Sequence, residues 1–376
     1  TRPAWGFFSD TGNNRTKWIL IGINVLGLGG ILATLGVITI DVNFLLGILI
    51  SVLAYGLIGL GVGCSGTSLL AFLAIATKPD RRAAAASVTW LMMIFGIAAT
   101  AGIVGILIEP YSETRLITIV SAVCIFASIL TFIAIFGVEK SHSQYIERKE
   151  RREQPLLVGL REIWVEPKAR MFTLFVAVSM TAYFMQELIL EPYAGLVFNL
   201  SPGETTSLSG VQNMGIFFGM LAVGIGVSGF KIGSLKMWVC FGCLGSAVSL
   251  VAISLFAYNS FGISFGVPVF ILGFCNGAFA VGAIGSMMQL AGHGKLNREG
   301  TRMGLWGASQ AIAAGFGGLL GTVLVDIFRA LSFETALAFG IVFFFEASLF
   351  IVAAIMGLRI IDSKTNNFNF KSVGAV

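Results

Sequence analysis

The chain has 376 residues, of which 56% are hydrophobic and only 11% are charged, and its formal net charge is +5. So few charged side chains cannot cover the surface of a water-soluble protein of this length. The composition therefore excludes the soluble protein classes and indicates a protein whose solvent is lipid.

Ten apolar stretches follow one another along the chain, each long enough to cross the hydrocarbon core of a bilayer as a helix. We therefore predict an all-α polytopic membrane protein with ten visible transmembrane helices. Their expected positions are 17–40, 44–77, 83–108, 116–138, 170–190, 206–229, 236–257, 262–291, 303–328 and 335–357.

The 47 glycines are typical of membrane helices, which use small residues to bring their backbones close together. Pairs of glycines four residues apart lie on one helix face and favour such packing. We expect close helix contacts at Gly59 and Gly63, at Gly215 and Gly219, and at Gly317 and Gly321.

The basic residues are divided unequally between the two ends of these stretches. When the spans are threaded alternately, only Arg115 and Arg329 of the 24 Lys and Arg fall on one side of the bilayer. Because basic loops remain on the cytoplasmic side, we expect loops 78–82, 139–168 and 295–302 to face the cytoplasm or stroma.

A single long polar stretch divides the spans into a group of four and a group of six. Its later part repeats apolar residues with a helical period, which predicts an amphipathic helix on the membrane surface. The expected organisation is an N-terminal helical bundle at 1–138, a cytoplasmic linker at 139–168, a six-helix bundle at 169–358 and a cytoplasmic tail at 359–376.

The two groups of spans also show local sequence matches, which predict two similar bundles related by a parallel repeat. If the repeat is complete, two further spans are expected before the first visible one. The matches are Trp18 and Gly22 with Trp238 and Gly242, Cys64 and Gly66 with Cys275 and Gly277, and Trp90 with Trp306.

The first residues, GFFSDTGNNRTK at positions 6–17, resemble the cytoplasmic loop between the second and third spans of the major facilitator superfamily. This resemblance implies a two-bundle fold of twelve spans, of which the chain would contain the third to the twelfth. It also implies an interbundle loop motif formed by Gly6, Ser9, Asp10, Arg15 and Lys17.

A second string, MQELILEPYAG at positions 185–195 followed by GETT at 203–206, is more specific. It resembles the LEPYGG…TT signature of the bacteriochlorophyll delivery branch of that superfamily, the PucC/LhaA-type proteins that assist assembly of light-harvesting complexes. The stretches at 90–94 and 304–308 are also similar to this branch.

The resemblance implies a membrane assembly factor that handles or delivers chlorophyll or bacteriochlorophyll while light-harvesting or photosystem complexes are built. The expected cofactor is a non-covalent chlorophyll or bacteriochlorophyll, with a carotenoid or lipid as further possibilities. The expected partners are antenna or photosystem subunits in a thylakoid or photosynthetic inner membrane, and no nucleic acid.

Glu187 and Glu191 lie four residues apart on one helical face, and we expect Pro192 to end their span at the far side of the membrane. They are either an interfacial cap, with the backbone or hydroxyls of Gly203, Thr205 and Thr206 as partners, or a polar contact for a pigment or partner. The predicted contact residues are Gln186, Glu187, Glu191, Tyr193, Trp90, Trp306 and Gln310. Tyr193 is amphipathic, and we expect it at the membrane interface.

Glu346 follows three phenylalanines in the middle of the last span. An ionised carboxylate is costly there, so Glu346 either couples a proton or ligand or is a neutral, hydrogen-bonded packing residue. Both histidines fall in loops, so a pigment magnesium would need an amide ligand or water. The intramembrane amides are Asn24, Gln212, Asn213, Asn276, Gln289 and Gln310, which could instead bond between helices.

The sequence contains no phosphate-binding glycine loop, zinc-protease motif or nucleophile elbow, so an enzyme is not expected and no metal site is predicted. Two alternatives to pigment handling remain. One is a secondary transporter of a small hydrophobic or ionic solute that works by alternating access. The other is a permanent structural subunit of a photosynthetic supercomplex.

Overall fold

A computed structural model describes residues 15–76, 82–136, 166–228, 232–259, 262–292 and 299–361. These ranges contain ten long α-helices and no strand, and all ten are long and apolar enough to cross a membrane. The predicted all-helical class and each predicted span are confirmed. The helices are α1 Arg15–Val42, α2 Phe44–Ala76, α3 Arg82–Leu107, α4 Glu113–Ile135, α5 Pro167–Phe198, α6 Pro202–Ser228, α7 Leu235–Phe256, α8 Gly266–Gly292, α9 Glu299–Ala330 and α10 Thr335–Ile360.

The helices form two compact units. The first unit contains α1, α2, α4 and the part of α3 up to Trp90. The second contains the rest of α3, from Leu91 to Ile106, together with α5 to α10. The predicted linker lies largely outside the described residues.

In the first unit, α1 and α2 approach so closely that their glycines leave no room for a side chain. A Cβ atom on Gly61 would lie 2.6 Å from the Leu26 nitrogen and 2.7 Å from the Gly22 carbonyl oxygen. Gly29 meets the Ala54 carbonyl oxygen at 2.9 Å in the same way. The contact is therefore between backbones, as expected for small residues in membrane helices.

The predicted glycine pairs have different outcomes. Cβ atoms on Gly219 and Gly317 would come within 3.0 Å of the Ala278 nitrogen and 2.8 Å of the Thr181 carbonyl oxygen, which confirms close contacts of α6 with α8 and of α9 with α5. The expectation for Gly59 is wrong, because a Cβ atom there meets nothing within 4 Å among the described residues. The seam of α2 uses Gly61, which lies on a different face of the helix.

The second unit has a continuous buried core formed by α5, α7, α8 and α10 with contributions from α6 and α9. Large aromatic side chains dominate this core. Phe175, Phe279 and Phe350 form a chain of edge-on ring contacts across α5, α8 and α10, with centroids 6.3 Å apart in each pair. The core fixes which face of α5 is turned inward and which is left for other contacts.

Candidate functional site

Much of the predicted loop motif is not placed by the structure. Gly6, Ser9 and Asp10 lie outside the described residues. Arg15 begins α1, but its side chain is not among those described, and Lys17 is exposed in the first turn of that helix. The role of this motif therefore stays a prediction.

Helix α5 continues beyond Pro192, so the prediction that this proline ends the span is wrong. The helix runs to Phe198 and ends at Asn199, which takes a left-handed conformation with φ of 56°. A proline inside a membrane helix is tolerated, although residue 192 then has no amide hydrogen to donate to the Leu188 carbonyl oxygen. Glu187 and Glu191 consequently lie about 16 Å and 10 Å before the end of the helix, deeper than expected.

Tyr193 lies in the core of the second unit rather than at the membrane interface where we predicted it. Its side chain is completely buried, and its hydroxyl donates a hydrogen bond to the Ile253 carbonyl oxygen of α7 at 2.9 Å. Its ring has four aromatic neighbours with centroids 5.0–6.0 Å away, namely Phe198, Phe265, Phe339 and Phe343. Tyr193 thus ties α5 to α7 and α10.

The two glutamates are placed differently from Tyr193. Glu187 is exposed, and Glu191 is half-buried and accepts a hydrogen bond from the Ser209 hydroxyl of α6. One turn further along α6, the Asn213 side-chain amide donates to the Ser209 carbonyl oxygen at 2.9 Å. This arrangement gives a short polar stripe on α5 and α6, within helices that are otherwise strongly apolar.

The hydroxyl that donates to Glu191 belongs to Ser209 and to none of the partners predicted for the glutamates, which were Gly203, Thr205 and Thr206. Both threonine hydroxyls donate instead to the Pro202 carbonyl oxygen, at 3.1 Å and 2.7 Å. Sequence reasoning missed Ser209 because its stretch of small residues carries no recognisable pattern. Its proximity to Glu191 depends on how α6 lies beside α5.

The second half of the signature string forms the start of α6. The Glu204 carboxylate accepts from the Ser201 nitrogen at 2.8 Å, and the Ser201 hydroxyl accepts from the Glu204 nitrogen at 3.2 Å. This reciprocal pair is a capping box, which satisfies amides that the first turn of a helix leaves unpaired. The residues from 201 to 206 therefore shape the turn between α5 and α6.

The remaining predicted contact residues are dispersed. Trp306 is buried, and its ring packs edge-on against Phe172 at a centroid distance of 4.8 Å. Gln186 is also buried, Gln310 is partly buried on α9, and Trp90 is 41% exposed on α3. Of the predicted set in the second unit, Glu187 alone is exposed.

The intramembrane amides considered as magnesium ligands include three with assigned hydrogen bonds. Asn24 donates to the Leu20 carbonyl oxygen at 2.8 Å, and Asn213 likewise bonds within its own helix. Asn276 is completely buried, and its carbonyl oxygen accepts from the Ser246 hydroxyl of α7 at 2.7 Å. The bond between Asn276 and Ser246 joins α8 to α7. Asn276 therefore bonds between helices, which is the alternative to magnesium ligation given above.

A family model described as "PUCC protein" matches residues 1–365. The chain belongs to the PUCC protein family. The "Bacteriochlorophyll synthase 44.5 kDa chain" of Rhodobacter capsulatus is 56% identical over 363 residues, covering 96% of this chain and 84% of that protein. "Protein PucC" of Cereibacter sphaeroides is 28% identical over 348 residues, covering 88% of this chain and 73% of that protein.

Solved structures similar to this PUCC family chain include membrane transporters. The xylose transporter XylE from E. coli, in an inward open conformation, aligns with a TM-score of 0.64 at 12% identity, covering 97% of this chain and 84% of that one. A bacterial homolog of the human lysosomal transporter Spinster aligns with a TM-score of 0.59 at 17% identity, covering 96% and 85%. These likenesses confirm the predicted major-facilitator fold.

Proposed function

We propose that this PUCC family protein is a non-catalytic assembly factor that handles chlorophyll or bacteriochlorophyll, or the subunits that receive it, while a light-harvesting or photosystem complex is built. Membership of the family supports a role in photosynthesis, and the names of its relatives refer to bacteriochlorophyll and to PucC. A photosynthetic membrane is the location that fits this role, with the basic loops on its cytoplasmic side.

The observation that carries the proposal is the exposed carboxylate of Glu187 inside an apolar span. Acidic side chains within membrane helices are costly and mark functional sites by default. Glu187 is one turn from the half-buried Glu191, and its neighbour Leu188 is 51% exposed. Carboxylate oxygens beside an apolar surface suit a ligand that has both an apolar body and a polar or metal-containing part.

A tetrapyrrole pigment has these properties, because a large apolar ring surrounds a magnesium ion that takes an oxygen or nitrogen ligand. A transmembrane antenna subunit has them too, since it offers apolar side chains and amide or hydroxyl donors near its ends. We propose that the contact is made at Glu187 and Glu191 on α5.

The test compares three variants in a photosynthetic strain that lacks its own copy of this protein. Glu187→Gln removes the exposed charge without changing the shape of the side chain, and Glu191→Ala removes the acceptor of Ser209. Glu334→Gln is the matched control, because Glu334 is an exposed acid just before α10 whose side chain makes no capping bond. The readout is pigment–protein complex, from membrane absorption spectra, relative to the amount of this protein on immunoblots.

We expect Glu187→Gln to lower this ratio about tenfold, which corresponds to the loss of one hydrogen bond to a charged group. Glu191→Ala should lower it as well, while Glu334→Gln should leave it unchanged. If complex and protein fall together in both α5 variants, the motif is structural and the proposed contact fails. An unchanged ratio in both would leave the secondary transporter as the better interpretation.

A second measurement separates a transient factor from a permanent subunit. The wild-type protein is purified gently, and its absorption spectrum and co-purifying proteins are recorded before and after the antenna complex has matured. Pigment or antenna subunits bound only during assembly support the proposal. Constant stoichiometric recovery with the mature complex would instead favour a permanent structural subunit.

A further inference from the structure

The second unit contains a buried acid, Glu346, with no partner among the described residues. It lies on α10, about 16 Å from the start of that helix, and its side chain is 0% exposed. Neither of its carboxylate oxygens has a hydrogen-bond partner there. An isolated charge in such a place costs several kcal/mol or more, so the group must be compensated in some other way.

The basic residues of the surrounding helices do not supply that compensation. Helices α5, α7 and α9 pack against α10, and α8 meets it through the Phe279 and Phe350 rings. On these four helices and on α10 itself, every Lys and Arg lies in a first or last turn. The acids Glu187 and Glu191 lie on the exposed and half-buried side of α5. These five helices therefore offer Glu346 no countercharge at its own depth.

Two buried amide side chains in the same unit are also incompletely paired, as is the Trp306 indole nitrogen. The Asn276 side-chain nitrogen on α8 is a donor without an acceptor, and the Gln186 side-chain oxygen on α5 is an acceptor without a donor, within the described part of the chain. Both side chains are at least 99% buried. Buried amides that lack a partner are uncommon, because each unmade hydrogen bond costs about 1–3 kcal/mol.

The helix register brings Asn276 and Glu346 to the same level. Helices α8 and α10 run in the same direction, since one span separates them, and the Phe279 and Phe350 rings are in contact. Asn276 lies three residues before Phe279, and Glu346 lies four residues before Phe350. Each is therefore about one turn from the same ring pair, on the same side of it.

Gln186 lies on the face of α5 that is turned toward this level. It is eleven residues after Phe175 and seven before Tyr193, and both spacings return to nearly the same face of a helix. Phe175 contacts Phe279 of α8, and Tyr193 contacts Phe339 of α10. Gln186 therefore lies between these two ring contacts, within about one turn of Glu346.

The unpaired acceptor on Gln186 and the unpaired donor on Asn276 complement a neutral carboxylic acid, which offers one donor and one additional acceptor. We propose that Glu346, Asn276 and Gln186 form an internal proton-holding site in which the Glu346 carboxyl is a neutral acid. Its hydroxyl donates to the Gln186 side-chain oxygen, and its carbonyl oxygen accepts from the Asn276 amide. A bound water completes each link that is too long for direct contact, as is usual for buried polar groups.

This site is separate from the proposed pigment contact, because Gln186 and Glu346 face the core whereas Glu187 is exposed. Its chemistry links α5, α8 and α10 through a proton and water instead of through a salt bridge. The competing occupant is a sodium ion held by an ionised Glu346 and the oxygens of Gln186, Asn276 and Ser246. The unpaired Asn276 N–H group favours the protonated carboxyl group over the sodium ion. A cation would bind the Asn276 oxygen instead, so the side-chain amide would have to be flipped.

The test uses the full-length protein in detergent and compares Glu346→Gln with Glu346→Leu. The amide of Glu346→Gln supplies both a donor and an acceptor, so we expect unfolding in SDS and accumulation in membranes close to the wild type. Glu346→Leu leaves the Asn276 and Gln186 side chains without a hydrogen-bond partner, so we expect the unfolding equilibrium constant to rise about tenfold or more. Infrared spectra should show the carbonyl band of a protonated carboxyl group that is absent in Glu346→Gln and retained in Glu187→Gln.

Three results would overturn the proposal. The first is equal destabilisation by Glu346→Gln and Glu346→Leu, which would mean that the charge itself is required. The second is the absence of a carboxylic acid band assignable to Glu346. The third is a wild-type stability that rises with sodium but not with potassium and loses that dependence in Glu346→Gln, which would identify a cation site.

Discussion

Each of the two units of this protein is stabilised internally by a different kind of contact. In the first unit, α1 and α2 meet through backbone atoms at Gly22, Gly29 and Gly61, and α4 has no buried residue among those described. In the second unit, buried aromatic rings and Tyr193 connect four helices around a core that also contains polar groups. Glycine contacts occur there too, as at Gly242, where a Cβ atom would lie 2.5 Å from the Phe279 nitrogen, but there they accompany the aromatic core.

The difference shows which kinds of substitution each unit should tolerate. A backbone contact depends on the absence of side chains, so any added atom disturbs it, whereas removal of a neighbouring apolar side chain matters little. An aromatic core behaves in the opposite way, because cavities reduce packing contacts that lipid cannot replace. Three substitutions, ordered from the largest expected effect to the smallest, test this contrast.

Tyr193→Ala should have the largest effect, because it removes a buried ring with four aromatic neighbours and a hydrogen bond to α7. We expect the free energy of unfolding to fall by about 3 kcal/mol, the low end for aromatic truncation, since transfer from water contributes little inside lipid. An SDS titration of the purified protein in mixed micelles measures it. Phe126→Ala on α4, where the ring is 67% exposed, is the control and should change stability little.

Gly61→Ala should have an intermediate effect in the first unit. The added methyl group would overlap the Leu26 nitrogen and the Gly22 carbonyl oxygen, so the two helices must separate, at a cost of about 2 kcal/mol. Gly59→Ala is the matched control, two residues away on the same helix, with open space around its Cβ position. Similar stability of the two variants would refute the backbone seam.

Tyr193→Phe should have the smallest effect, because it keeps the ring and removes the hydroxyl alone. Hydrogen bonds between membrane helices contribute about 0.6 kcal/mol on average, so we expect a loss of that order. The same SDS titration, compared with Tyr193→Ala, divides the contribution of Tyr193 between packing and hydrogen bonding. A loss as large as that of the alanine variant would show that the hydroxyl, and not the aromatic core, joins α5 to α7.

Most of the fold could be predicted from the sequence, because membrane spans are determined by length and apolarity, which are local properties. The end of α5 could not, since Pro192 is compatible with either a helix end or a continuing helix. The partner of Glu191 could not be predicted either. Ser209 is eighteen residues away, and its hydroxyl reaches the carboxylate only because α6 packs back against α5.

The predicted position of Tyr193 was wrong for a related reason. A tyrosine near a span end fits a membrane interface, and it fits a core equally well when a carbonyl oxygen is available. The Ile253 oxygen that accepts its hydrogen bond comes from α7, sixty residues later. Glu346, by contrast, could be recognised as unusual from its position alone, while the unpaired amides that share its level became visible only in the structure.

Pro192 has a consequence for what α5 can recognise. Without an amide hydrogen at position 192, the Leu188 carbonyl oxygen keeps a lone pair that an ordinary helix would use, one residue from the exposed carboxylate of Glu187. This part of the helix is therefore a Lewis base that offers electron pairs and few protons. At the proposed contact, such a surface would favour partners that are electron-pair acceptors, such as a chlorin magnesium or an N–H group, over a hydrocarbon carotenoid.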